Sequence, residues 1–172
     1  MFKASLSKAS RALYQGINAL VVGLLAVMVV CICVQVFMRF VLGRSPSWSE
    51  ELALLCFGWI VLLMLPAGVY RAFHVRMDLL IDQLPQGLRR AVERLVLLLT
   101  AGFGLYLGTS GIDYVGMTAI STSPAIGYPI YLLYGATPAS GFLTAWFALD
   151  RLLCGPALDD EQDPLLAARE AP

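Results

Sequence analysis

ALYQGINALVVGLLAVMVVCICVQVFM, residues Ala12 to Met38, contains no charged side chain. Three more such runs follow: Leu52–Tyr70, Leu95–Ile112 and Tyr114–Leu149. A helix rises about 1.5 Å per residue, so roughly 20 apolar residues cross a hydrocarbon core about 30 Å thick. One charge at mid-membrane costs about 2.5–3.5 kcal/mol. Four charge-free runs of this length in one short chain therefore predict an all-α integral membrane protein. The expected spans are about 14–42, 48–71, 88–114 and 130–153.

Composition agrees. Of 172 residues, 59% are hydrophobic and 14% charged, against about 25% charged in a soluble domain. The formal net charge is zero, which leaves no electrostatic footprint for nucleic acid. Once the spans are assigned, nothing remains to bury a soluble core. Residues 1–154 are read as a single four-helix membrane domain and 155–172 as a disordered acidic tail. The basic start, with Lys3, Lys8 and Arg11, precedes an apolar run too long for a cleaved signal sequence, so a signal anchor is expected. Lys and Arg crowd the N-terminal flank and the segment between spans 2 and 3. That bias predicts both termini and the middle segment to be cytoplasmic.

Local signals refine the spans. Gly43 fits the residue just beyond a helix end. Ala12, Gly16, Ala19, Gly23, Ala26 and Cys33 recur near one face of span 1, interrupted by Val30, and are expected to form a packing seam. Arg39 lies where its head can snorkel to the interface. Ser47-Trp48-Ser49-Glu50 fits a capping box with Ser47 as N-cap. Glu50 and Glu51 suit the positive end of the helix dipole; they are read either as capping groups or as contacts to a partner or to Arg39. Pro66 is expected to bend span 2. His74, Asp78 and Asp82 share one helical face opposite Met77, Leu80, Ile81 and Leu84, which predicts an amphipathic surface helix broken at Pro85 and Gly87. Gly104-Leu105-Tyr106-Leu107-Gly108, with Gly111 one turn on, predicts close helix packing in span 3. Ser121–Pro129 reads as an outer loop, and Pro138 falls in the early turns of span 4.

Catalytic chemistry finds little purchase. Cys31, Cys33, Cys56 and Cys154 are not placed as outer-face pairs and are read as small hydrophobes. His74 is the lone histidine, so bis-histidine haem ligation within one chain is impossible and no histidine-based metal cluster can form. Its readings are a pairing with Asp78 or a subunit contact. No phosphate-binding glycine loop, metalloprotease motif or nucleophilic triad is present. No cofactor and no enzyme activity are expected. The four runs also lack the ionisable group that a small exporter needs at depth. An accessory subunit of a membrane complex fits better than a stand-alone exporter.

A set of ordered elements carries a resemblance. Val36-Phe37-Met38-Arg39-Phe40 is followed by Trp48-Ser49-Glu50-Glu51, Trp59, Gly68, Arg71, His74-Val75-Arg76-Met77-Asp78 and Leu84-Pro85. Over about residues 12–153 the chain resembles the small membrane subunit of tripartite ATP-independent periplasmic (TRAP) transporters. That family's pattern is an aromatic-flanked Arg, a W-x-E-E-type motif, a Trp, a Gly, then H-x-x-x-D and L-P. Leu63–Gly68 departs from it by placing Pro66 where a Gly-Ala-type stretch is usual. The resemblance implies a four-span scaffold that binds a large multi-span subunit and helps dock a periplasmic solute-binding protein for ion-coupled uptake of an organic acid. It also marks Arg39, Trp48, Glu50, Glu51, Trp59, Gly68, His74, Asp78 and Pro85 as structural or subunit-contact residues. The runner-up is a four-span assembly protein of another membrane complex.

Overall fold

A computed structural model describes residues 2–44, 46–71 and 86–154. The described chain is helical: α1 Phe2–Leu42, α2 Ser47–Tyr70, α3 Gln86–Thr118, the single turn α4 Tyr131–Tyr134, and α5 Ala136–Cys154. His74, Asp78, Pro85, the proposed amphipathic segment and the tail 155–172 lie outside the described residues.

Residues 7–42, 47–70 and 91–118 are long and apolar enough to cross a membrane. Lipid offers backbone groups no partners, so apolar chain of this length is stable only when a helix satisfies its own amides and carbonyls. α1 ends where expected: Gly43 takes φ 66°, the left-handed conformation that closes a helix at least cost on glycine. α2 begins differently from the capping-box expectation. Pro46 is the N-cap, Ser47 is already helical, and no side chain caps the end. The Ser49 hydroxyl instead donates to the Pro46 carbonyl at 2.7 Å, and Glu50 is engaged elsewhere, as described below. α2 continues through Pro66, whose ring is fully buried.

The fourth expected span is divided. Pro138 has no N–H to give the Tyr134 carbonyl one turn back, and its ring crowds that carbonyl. The chain accordingly forms α4, passes through Gly135 (φ −60°, ψ −21°), and begins α5 at Ala136. α5 does not join the other three long helices as a span by length and composition. Its position accounts for that. It packs on α3, α2 and α1, so its small and hydroxyl side chains face protein rather than lipid. Ala136, Ser140, Ala145, Phe147 and Ala148 are buried, Phe147 completely. The Ser140 hydroxyl is satisfied by the Thr137 carbonyl at 2.9 Å.

Two antiparallel pairs build the bundle. In the first, α1 and α2 meet with Tyr14 level with Tyr70 and Gln35 level with Glu50. The buried edge of α1 is Ser10, Ile17, Val21 and Cys31, with Tyr14, Leu24, Met28 and Gln35 half-buried between them. These positions step by three and four, as one stripe of a helix must. The small-residue series Ala12, Gly16, Ala19, Gly23, Ala26 and Cys33 is therefore not the seam within this chain. It lies two positions away, about 200° around the helix, and is exposed. A Cβ added at Gly16 or Gly23 would meet nothing beyond its own helix within 4 Å.

The second pair is α3 and α5, and here the glycine pattern does what its spacing predicts. Cβ atoms added at Gly104, Gly108 and Gly111 would strike Ala145, Phe142 and Pro138 at 2.8, 3.0 and 2.8 Å. Gly141 faces the backbone of Gly104 and Gly108 directly. With glycines on both surfaces the two backbones approach closely, which is how helices associate where no water is expelled.

Candidate functional site

The polar chemistry of the described chain concentrates where α1 finishes, α2 begins and the α3–α4 loop turns. Glu51 stands in the first turns of α2. Its carboxylate accepts the Ser123 hydroxyl, the Ala125 N–H at 2.9 Å and the Ile126 N–H at 3.0 Å. Two consecutive amides and a hydroxyl thus converge on one carboxylate. Such loops bind anions because their N–H groups point the same way; here the anion belongs to α2.

The loop is shaped for this role. Thr122 and Pro129 form an isolated antiparallel bridge. Ser123 N–H donates to the Tyr128 carbonyl at 2.9 Å, Gly127 N–H to the Ser123 carbonyl at 3.1 Å, and Ile130 N–H to the Ser121 carbonyl at 3.0 Å. Gly127 has φ 79°, which a side-chain-bearing residue rarely adopts. The reversal leaves the amides of Ala125 and Ile126 without a backbone partner in the loop, and Glu51 supplies one. Burial first, then the Glu51 charge, push the Tyr128 phenol above its usual range.

Three further contacts tie the same region together. Gln35 Nε2 donates to Glu50 at 2.8 Å and fixes the α1–α2 turn. Trp59 Nε1 donates to the Leu132 carbonyl at 2.9 Å and holds α4 against α2. Tyr114 and Tyr134 meet edge-to-face at 4.7 Å, joining α3 to α4. Trp59→Phe keeps an aromatic ring, though a smaller one, and removes the donor. It is expected to cost about 1 kcal/mol, the net value of one such bond, read as a lower melting temperature in detergent with helix content unchanged.

The sequence-marked residues distribute as follows. Glu50, Glu51 and Trp59 join this junction. Trp48 stands beside it, 44% exposed. Arg39 is exposed in the last turn of α1 and does not pair with either glutamate, contrary to the open expectation. Gln35 holds Glu50 and the loop holds Glu51, so neither carboxylate needs it. Gly68 is half-buried far along α2. Ser123, Gln35 and Leu132 are the residues that sequence reasoning passed over. The Ser/Pro/Gly content of 121–129 signalled a turn with spare amides, yet nothing in the spacing linked it to a carboxylate 72 positions earlier. Cys31, Cys33 and Cys56 are unbridged.

Apolar helices of membrane length, joined at one end by a carboxylate-filled loop, define a helical membrane protein whose polar groups are spent on its own architecture. Comparison with known proteins makes this specific. Residues 28–156 match the family model of the tripartite ATP-independent periplasmic transporters, DctQ component. The chain belongs to that family, a transporter component and not an enzyme. It is 33% identical over 103 residues to the C4-dicarboxylate TRAP transporter small permease protein DctQ of Rhodobacter capsulatus, covering 59% of this chain and 45% of that protein. It is 30% identical over 125 residues to the isethionate TRAP transporter permease protein DctMQ of Oleidesulfovibrio alaskensis, covering 67% of this chain and 19% of that protein. The match thus spans less than half of the first relative and about a fifth of the second.

Proposed function

We propose that this chain is the four-span small subunit of a TRAP-type secondary transporter in the bacterial inner membrane. It moves no solute itself. It binds a large transport subunit, braces it as a static scaffold, and helps receive a periplasmic solute-binding protein that delivers an organic acid for ion-coupled uptake. α4 and α5 together form the fourth span, and both termini lie in the cytoplasm.

The observation that carries this reading is where the polar groups are. Outside the ends of the helices the apolar runs offer no ionisable carboxylate, lysine or arginine with which to hold and release a substrate. At the junction of α1, α2 and the α3–α4 loop, the carboxylates are already satisfied internally. A chain so arranged is built to keep its shape. The DctMQ relative supports a large partner, because the region resembling this chain is a small part of a permease that extends well beyond it. In this orientation the Glu51 junction faces the periplasm, where it fixes the surface a binding protein meets.

Affinity purification of the tagged full chain from mild detergent tests the proposal. A large, many-span membrane protein should co-purify in a fixed ratio. The purified chain alone, reconstituted in vesicles, should give no solute uptake above empty vesicles. Uptake by the isolated chain, or purification free of any membrane partner, refutes the scaffold role.

A further inference from the structure

Asp113 is the carboxylate that separates the third charge-free run from the fourth. It stands on α3 five residues, about 8 Å, inside the helix end at Thr118. That places it within the stretch 91–118, which is long and apolar enough to cross a membrane. Apolar surface continues beyond it. Met117, one turn on, is 80% exposed, and Ile120, two turns on, is 96% exposed. The carboxylate hangs from a single methylene, so it cannot reach past both as a long Lys or Arg side chain can.

The fold directs this side chain outward. Gly104, Gly108 and Gly111 turn to α5, and Asp113 lies about 140–180° around the helix from them. α3 takes its packing from α5 and α4, which leaves its far side open. Leu99, Tyr106, Asp113, Met117 and Ile120 share that side, and all are exposed. No group on the described chain answers the charge. Thr109, one turn earlier, spends its hydroxyl on the Leu105 and Tyr106 carbonyls, each at 3.1 Å. Thr118 spends its own on the Tyr114 and Val115 carbonyls at 3.0 and 3.3 Å. Among the described residues Asp113 has no hydrogen-bond or ion-pair partner.

An exposed carboxylate within an apolar stripe is a poor surface for lipid tails. Ionisable groups in membrane helices face protein or water and pair with an opposite charge. The other open face, that of α1 through Gly16 and Gly23, carries no charge and suits lipid as it stands. The geometry points to the open face of α3, centred on Asp113, as the docking surface for the large transport subunit. The contact is an apolar helix of that subunit presenting a lysine or arginine at the level of Asp113. Charge complementarity selects this occupant. Lipid tails have no cation to offer, and a second copy of this chain carries no lysine or arginine in any of its charge-free runs. The inference rests on the transport reading above, and adds to it the face that makes contact and the chemistry of that contact.

The test expresses the tagged full chain together with its large subunit, purifies it in mild detergent, and measures the large subunit retained per tagged chain. Asp113→Glu should stay within about twofold of wild type. Asp113→Asn should lower retention about 5-fold, and Asp113→Lys about 20-fold or more. In a second arm, a benzophenone side chain replacing Tyr106 should crosslink to the large subunit roughly 5-fold more than one replacing Val22, which is exposed on α1. Retention by Asp113→Asn at the wild-type level overturns the contact. So does a Tyr106 crosslink that captures only lipid or a second copy of this chain, or an equal yield from Val22. A wild-type chain that retains no large subunit instead overturns the transport reading, and this contact with it. Melting curves of the purified chains show which variants fold. If Asp113→Lys does not, Asp113→Asn and the Tyr106 crosslink decide the question.

Discussion

Gly141→Val should separate α3 from α5 and cost the folded protein about 3 kcal/mol, the upper part of the range for overpacked interiors. The reason is the identity of the obstacle. A side-chain atom can turn aside, but a Cβ at Gly141 meets the backbone nitrogen and Cα of Gly108 and the carbonyl oxygen of Gly104. Relief requires the two helices to move apart along their length, which also loosens Gly104 against Ala145 and Gly111 against Pro138. Thermal unfolding in detergent, followed by circular dichroism, measures the loss. Gly23→Val supplies the comparison: its Cβ has open space, so the isolated chain should melt within about 0.5 kcal/mol of wild type, the usual range for surface changes. Should Gly23→Val nonetheless block co-purification of the large subunit, its exposed face would be assigned to that partner.

Glu51→Gln should free the α3–α4 loop without unfolding the bundle. The carboxylate accepts three hydrogen bonds, and an amide replaces one acceptor oxygen by a donor facing other donors. Amide exchange at Ala125 and Ile126 should rise about tenfold or more, while amides of the α1–α2 pair stay protected. If the junction braces the surface proposed to receive a binding protein, uptake by the assembled transporter should fall. Glu50→Gln removes one bond, to Gln35, and should have the smaller effect. If the Glu51→Gln loop exchanges at the wild-type rate, the junction does not hold the loop. Normal uptake with a loosened loop would instead separate loop order from docking.

Much of this architecture was readable from the chain because lipid imposes simple rules. Three long helices followed from the absence of charge, Gly43 marked a helix end, and Gly104-x-x-x-Gly108 announced a close approach. What the pattern concealed was the partner of each face. Spacing finds small residues but not what stands opposite, so the stripe through Gly16 and Gly23 and the one through Gly104 and Gly108 looked alike, yet only the second is used within the chain. α5 falls short of the apolarity of a span for a related reason. Hydropathy measures suitability for lipid, and the face of α5 packed on three other helices has no need of it. Pro138, expected in the early turns of one span, divides the helix, because the carbonyl it leaves without a donor, that of Tyr134, falls beside Gly135. At the junction, charge complementarity offered Arg39 as one of several partners for Glu50 or Glu51. The structure instead answers Glu51 with backbone amides, which every residue carries and which composition therefore cannot reveal.

The placement of α5 bears on how the protein is made. The α1–α2 hairpin can leave the insertion machinery and pair at once, but α3 has its main partner only in a segment synthesised later. Until α5 arrives, the glycine groove of α3 stands open to lipid, and a chain stopped near residue 135 is an orphan that membrane proteases should clear. Supplying the chain from residue 72 onward as a separate polypeptide beside 1–71 should rescue assembly, whereas cutting between α3 and α5 should not.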